Sequence, residues 1–97
     1  MKKRMEKLVR VKSQGALSSF QTQSGETVTK LSVVMTDGID TFEAEAFDKL
    51  AVQLSQQPLD TNVMYNAQMK MGVREWKNQQ EQVNRANSIR LINIAAV

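Results

Sequence analysis

Residues 39–76, IDTFEAEAFDKLAVQLSQQPLDTNVMYNAQMKMGVREW, decide the fold because their hydrophobic period changes twice. Residues 39–47 alternate between apolar and polar side chains, which predicts a strand with one buried face. Residues 48–57 have helical spacing with Asp48 as N-cap, which predicts one short helix of about ten residues. The alternation returns over residues 61–76 and is the strongest strand signal in the chain. The stretch therefore predicts a strand, a short helix and a long strand.

Two further strands are predicted before this stretch. The first covers residues 8–20, and Gly15 inside it indicates a bend of the kind that turns a strand around the corner of a small barrel. The second covers residues 28–36, and the dipeptide Asp37-Gly38 that follows is a hairpin turn signal. Three consecutive strands thus precede the helix.

The C-terminal part completes the predicted order of elements. Residues 77–87 are polar and predict a loop, and residues 88–97 predict a last strand that is nearly apolar on both faces. Three strands, one helix and two strands in a single domain of 97 residues are typical of an all-β, five-stranded oligonucleotide/oligosaccharide-binding barrel (OB-fold). A small α+β sandwich is the alternative, because the order of elements does not fix strand pairing. Residues 1–6 are expected to be a flexible basic N-terminus.

The composition excludes most enzyme classes. The chain has neither Cys nor His, so it lacks thiolate and imidazole metal ligands and the commonest catalytic base. No Gly-rich phosphate loop is present, and we therefore expect a protein that is not an enzyme and has no cofactor. No apolar run approaches the roughly 20 residues of a membrane span, so we expect a soluble, cytoplasmic protein without membrane contact.

Charge is unevenly distributed along the chain. Residues 1–12 carry six basic and one acidic residue, residues 13–60 two basic and seven acidic, and residues 61–97 five basic and two acidic. If the two basic parts meet in the fold, they form a positive face suited to a polyanion. The alternative is an ordinary solvated charged surface.

The candidate binding residues follow from strand alternation. In the OB-fold, ligands lie across one sheet face and between two loops, here residues 21–27 and 77–87. Opposite the apolar row of the long strand are Lys70, Arg74 and Trp76, two cations for phosphates and a ring on which a base can stack. We also predict that phosphates are contacted by Arg10, Lys12, Lys77 and Arg85 and that Phe47 and Phe20 provide further rings. Each aromatic has a structural alternative: Trp76 at a core edge, Phe47 under the helix start, Phe20 as a core plug.

The segment from Ala46 to Gln82 resembles bacterial single-stranded DNA-binding proteins. In that resemblance Phe47 and Trp76 correspond to family aromatics that stack bases, and Arg74 to a basic strand position. The resemblance implies binding of single-stranded DNA in replication, recombination or repair by a homodimer or homotetramer.

The sequence also departs from this family at particular positions. Asp48 stands where the family usually has Gly, and Thr41 where it often has a stacking Trp. The sequence ends at Val97 without the acidic tail by which the family recruits partners, so we expect a trimmed chain or a tail-less form such as a phage or mobile-element protein. The primosomal replication protein B family is a close variant of this interpretation.

Two other functions are compatible with the residues. Glu43 and Glu45 lie on the outward side of the third predicted strand and would repel phosphates. These carboxylates favour a protein-interaction or oligomerisation subunit built on the same barrel, similar to a primosome assembly factor. An RNA-binding module is a third alternative, because stacking and phosphate contacts do not by themselves distinguish ribose from deoxyribose.

Overall fold

The computed structural model describes residues 4–77 and 79–97, apart from the side chains of residues 4, 74–76 and 86. The described part is a β-structure with one short helix. Its elements are β1 (Arg4–Gln14), β2 (Ser18–Gln21), β3 (Thr27–Thr36), β4 (Thr41–Phe47), α1 (Asp48–Gln56), β5 (Met64–Lys77) and β6 (Val83–Ala96). The arrangement confirms the predicted all-β fold with a helix between the third and fourth predicted strands.

The strands close into a barrel in the order β1-β5-β6-β4-β3, with β1 also paired to β3. Every pairing is antiparallel except that between β4 and β6, where Glu45 lies opposite Arg90 in a parallel bridge. β2 extends the barrel beyond β3, with Phe20 opposite Val28. The barrel wall is therefore continuous, and its narrowest seam is the bridge at Glu45 and Arg90.

Alternate residues of the strands fill the interior. In β3 the side chains of Leu31, Val33 and Met35 are buried, whereas the residues between them are partly exposed. Small side chains on β4 face them, since Ala44 pairs with Val33 and Ala46 with Leu31. The buried apolar core consists of Val9, Val11, Leu31, Val33, Met35, Ala44, Ala46, Ala51, Leu54, Ala67, Met69 and Leu91.

The helix α1 packs against β3 and β4 and contributes two buried residues, Ala51 and Leu54. Gln14, at the end of β1, fixes the end of the helix and the segment that follows it by one hydrogen bond to each. Its Nε2 donates to the carbonyl of Leu54 at 2.9 Å, and its Oε1 accepts from the amide of Leu59 at 3.1 Å. Among the residues that the structure describes, no helix has the length and apolar character needed to cross a membrane.

The N-terminal strand differs from its predicted bounds. The predicted strand over residues 8–20 is divided into β1 and β2, and Gly15 lies at the bend between them. The Gly15 amide donates to the Ser32 carbonyl at 2.7 Å, so pairing with β3 continues through the bend. Residues 4–6 belong to β1 and pair with β5, which corrects the predicted flexible N-terminus for these residues. Residues 1–3 lie outside the described part.

The β5–β6 hairpin is longer than the sequence predicts. The predicted loop over residues 77–87 is mostly strand, because β5 continues to Lys77 and β6 begins at Val83. Among the described residues β1 pairs with β5 as far as Lys70, and beyond it β5 and β6 continue as a hairpin of two strands that projects from the barrel. A strand of 14 residues spans about 46 Å, comparable with the 45 Å long axis of the molecule.

The start of α1 corrects the N-cap prediction for Asp48. Phe47 occupies the N-cap position and makes no side-chain capping hydrogen bond. Asp48 has a φ of 52°, in the left-handed region that Gly adopts without strain and other residues rarely adopt. This backbone conformation explains why Gly suits this position in the family that the sequence resembles.

We expect Asp48→Gly to be more stable than Asp48→Ala by about 1 kcal/mol. Helix propensity alone gives the opposite order, since Ala is the better helix former. Urea denaturation of the two variants measures the difference. An Asp48→Ala variant at least as stable as Asp48→Gly would contradict the left-handed strain at this position.

Candidate nucleic-acid interface

A groove of about 400 Å³ lies where β4 meets the base of the β5–β6 hairpin. Lys70 and Gly72 of β5 line one side, and Ser88 and Arg90 of β6 continue it. Gly72 and Ser88 are directly paired, and the missing side chain at Gly72 leaves the groove open there. The remaining groove residues are Glu45, Phe47, Met71, Val73 and Ile89.

Phe47 and Arg90 form the centre of this groove. The guanidinium carbon of Arg90 lies 4.9 Å from the centroid of the half-buried Phe47 ring, within range of a cation–π interaction. Arg90 is paired with Lys70 across β5 and β6, which places two cationic residues next to one aromatic ring. A ring beside two cations can stack a base while the cations contact its phosphates.

A second aromatic–cation pair continues this surface across β3. Lys30 Nζ lies 5.4 Å from the centroid of the exposed Phe20 ring. The same Nζ lies 3.3 Å from Glu45 Oε2, and the backbone of Lys30 is paired with Phe47. The two aromatic–cation pairs are thus connected through Glu45 and Phe47 of β4.

Arg10 and Lys12 lie elsewhere on the barrel. Arg10 is paired with Thr36, six residues along β3 from Lys30, which corresponds to about 20 Å. It lines a separate groove of about 110 Å³ together with Asp37. Lys12 is exposed at a bulge in β1. The structure therefore does not bring these two cations to the groove at Phe47.

Asp37, beside Arg10, stabilises the turn between β3 and β4. Its Oδ1 accepts hydrogen bonds from the amides of Asp40 and Ile39 at 2.8 and 2.9 Å. Its Oδ2 lies 3.0 Å from Lys7 Nζ. The amide hydrogen bonds, more than the lysine, hold the pKa of this carboxyl well below its ordinary value. The Asp37 carboxylate therefore stabilises the turn and links it to Lys7 of β1.

Lys77 and Arg85 lie on the opposite face of the projecting hairpin from Lys70 and Arg90. Lys77 is seven residues from Lys70 on β5, and Arg85 is five residues from Arg90 on β6. Because successive side chains of a strand point to opposite faces, an odd separation places two residues on opposite faces. Lys77 and Arg85 are both exposed. Their predicted contacts with phosphate would require the strand of nucleic acid to pass around the edge of the hairpin.

The side chains of Arg74 and Trp76 lie outside the described residues. Their backbone belongs to β5, where Arg74 is paired with Ala86 and Trp76 with Asn84. The base-stacking role of Trp76 and the phosphate contact of Arg74 stay predictions.

Sequence reasoning missed Lys30 and Arg90 as binding candidates. Lys30 could have been found from the sequence. Pairing residues outward from the Asp37-Gly38 turn places Lys30 opposite Phe47, as the structure does. Arg90 had none, because it lies in a strand that is nearly apolar on both faces. The placement of Arg90 beside β4 depends on barrel closure at Glu45.

The barrel is an OB-fold, and solved structures similar to it include single-stranded DNA-binding proteins. Rim1, the mitochondrial single-stranded DNA-binding protein of S. cerevisiae, superposes with a TM-score of 0.58 at 9% identity, over 100% of this chain and 96% of Rim1. The small single-stranded DNA-binding protein of Streptomyces coelicolor has a TM-score of 0.54 at 15% identity, covering 100% of this chain and 95% of that protein.

The Plasmodium falciparum SSB in complex with single-stranded DNA has a TM-score of 0.53 at 15% identity, over 97% of this chain and 93% of that protein. No protein-family model and no curated protein matches the sequence. At these identities the likeness establishes the fold that the chain has in common with these proteins.

Proposed function

We propose that this protein binds single-stranded DNA without sequence preference and is not an enzyme. The observation that carries the proposal is the groove in which Arg90 covers the ring of Phe47 with Lys70 on the neighbouring strand. Bases stack on Phe47 and on Trp76. The alternation of β5 predicts Trp76 on the same face of the strand as Lys70. Phosphates are contacted by Lys30, Lys70, Arg74 and Arg90. Stacking is tolerant of sequence because every base has a π face.

Phe20 extends the proposed path across β2 and β3. Its ring is exposed and already lies beside a cation, Lys30, in the arrangement also seen at Phe47. A single strand that crosses from β5 to β2 therefore meets two aromatic–cation pairs in succession. Arg10, Lys12, Lys77 and Arg85 lie off this direct path and contact DNA only if the strand wraps farther around the barrel.

We further propose a cytoplasmic homodimer or homotetramer that acts in DNA replication, recombination or repair. Support comes from apolar side chains on the projecting hairpin, where Met71, Val73 and Val83 are 48%, 63% and 54% exposed. Met71 and Val73 are neighbours on one face of β5, and contiguous exposed apolar surface commonly marks protein contacts. The same residues favour the second candidate function, a protein-interaction or oligomerisation subunit that does not bind nucleic acid.

Tryptophan fluorescence tests the proposed function, because Trp76 is the only Trp in the sequence. Titration with an oligo-dT strand is expected to quench the emission strongly at low salt and progressively less at higher salt. Four phosphate contacts from Lys30, Lys70, Arg74 and Arg90 give a slope of log K against log salt of about −3. A duplex of equal length is the control and is expected to bind more weakly, since its bases are not free to stack.

Unchanged fluorescence together with no complex in a mobility assay would contradict DNA binding and favour the interaction subunit. Equal affinity for oligo-U would instead indicate a binding protein that does not discriminate RNA from DNA.

A further inference from the structure

Glu45 is a carboxylate inside the surface that we propose for DNA. It lines the groove with Phe47, Lys70 and Arg90, and its side chain is only 15% exposed. Its backbone forms the bridge to Arg90 that closes the barrel, so the position of the side chain is fixed by the fold. An anion at this place opposes the binding of a polyanion.

Lys30 is a cation that Glu45 engages. The distance from Lys30 Nζ to Glu45 Oε2 is 3.3 Å, and the same Nζ lies 5.4 Å from the centroid of the Phe20 ring. In this conformation Lys30 is held between a carboxylate and an aromatic face. A phosphate that binds Lys30 has to replace the carboxylate, because both anions use the same ammonium group.

Such a replacement is physically reasonable. The Lys30 side chain is 30% exposed, and ion pairs with access to solvent are weak because water screens them. The phosphate can therefore displace the carboxylate, but each binding event has to break an existing ion pair and bring a phosphate near Glu45. Both effects reduce affinity without preventing binding.

We propose that Glu45 is an intramolecular competitor of the DNA backbone, which holds Lys30 in the free protein and limits affinity for single-stranded DNA. The inference rests on the proposed function and adds to it a residue that sets how tightly the strand is held. Glu45 makes release easier, as is useful for a protein that must leave a strand when another protein takes it over.

The test compares Glu45→Gln with Glu43→Gln. Glu43 lies on the same strand two residues earlier, is exposed and is paired with Val34, and it is not among the residues that line the groove. Each substitution removes one negative charge, so the two variants change the long-range attraction for DNA to a similar extent. A difference between them reports the local effect of Glu45.

We expect Glu45→Gln to bind oligo-dT about 5-fold more tightly than the wild type and Glu43→Gln less than about 2-fold more tightly. The salt slope of Glu45→Gln is expected to match that of the wild type, because Lys30 contacts a phosphate in both complexes. In a Lys30→Gln background, adding Glu45→Gln is expected to increase affinity less than it does in the wild type, because the ion pair is already removed and only the repulsion of phosphate by the carboxylate is relieved. Thermal denaturation of each variant checks that the barrel is intact.

The outcomes separate this inference from the proposed function. If the wild type binds oligo-dT and Glu45→Gln gains no more than Glu43→Gln, the competitor role is wrong and DNA binding stands. Reduced affinity of Glu45→Gln would show that the carboxylate contributes to binding, which also overturns the inference. Absence of binding by the wild type and by both variants, in fluorescence and mobility assays alike, would reject the proposed function and the inference with it.

Discussion

Replacing Phe47 with leucine is expected to weaken oligo-dT binding about 10-fold. Leucine retains most of the apolar volume but has no π face on which a base can stack or over which Arg90 can lie, as it does at 4.9 Å in this structure. Stacking of one base on an aromatic ring contributes about 1–3 kcal/mol, equivalent to roughly 5- to 150-fold in affinity. The dissociation constant is obtained from the fluorescence of Trp76 or from a mobility assay.

The matched control for this variant is Phe42→Leu. Phe42 belongs to the same strand, β4, but lines a different, apolar groove of about 250 Å³ with Met5 and Met69. We expect Phe42→Leu to change DNA affinity less than 2-fold, even if it lowers the melting temperature more than Phe47→Leu does. Equal affinities for the two variants and the wild type would indicate that Phe47 only packs against the start of α1.

Replacing Leu31 with alanine is expected to cost about 3 kcal/mol of the free energy of unfolding. Leu31 is 1% exposed, lies opposite Ala46 in the β3–β4 ladder and belongs to a strand that also contacts α1. Small neighbours cannot fill the cavity that the missing isobutyl group leaves. Because domains of this size are stable by only about 5–15 kcal/mol, the loss is a substantial part of the total.

Urea denaturation at 25 °C measures this loss, and Leu8→Ala is the control. Leu8 is 55% exposed, so its truncation creates no cavity and is expected to cost less than about 1 kcal/mol. Similar midpoints for the two variants would mean that the barrel interior relaxes around the smaller side chain at position 31.

The fold was predictable where one face of a strand is buried. The alternation in β3, β4 and the first half of β5 follows the core, and the change of period at α1 marks the helix. Residues 83–87 were predicted as loop because their described side chains are exposed or only half-buried, so no buried face imposes an apolar period on the sequence. The pairing of Arg85 with Glu75 and of Asn84 with Trp76 leaves no hydrophobic period to detect.

The candidate site was predictable only in part, for a related reason. Strand parity identified Phe47 and Lys70 as outward residues, and the structure brings them into one groove. Parity alone does not say how far apart outward residues lie. It therefore grouped Arg10 with Phe47 and Lys70, although Arg10 lies at a different place on the closed barrel. Glu45, which was expected to repel phosphates, forms an ion pair with Lys30 and lines the same groove as Lys70 and Arg90.

The pairing of β1 with β5 has a consequence for how the chain acquires its structure. Their partners, from Arg10 with Met64 to Arg4 with Lys70, are 54 to 66 residues apart. Such non-local contacts slow folding to roughly milliseconds to seconds. During synthesis the first half of β1 waits about 3 to 13 s for its partner to emerge, at 5–20 residues per second. For that time Leu8 and Val9 lack their β5 partners, and an unpaired strand edge of this kind is exposed to aggregation while the chain is being made.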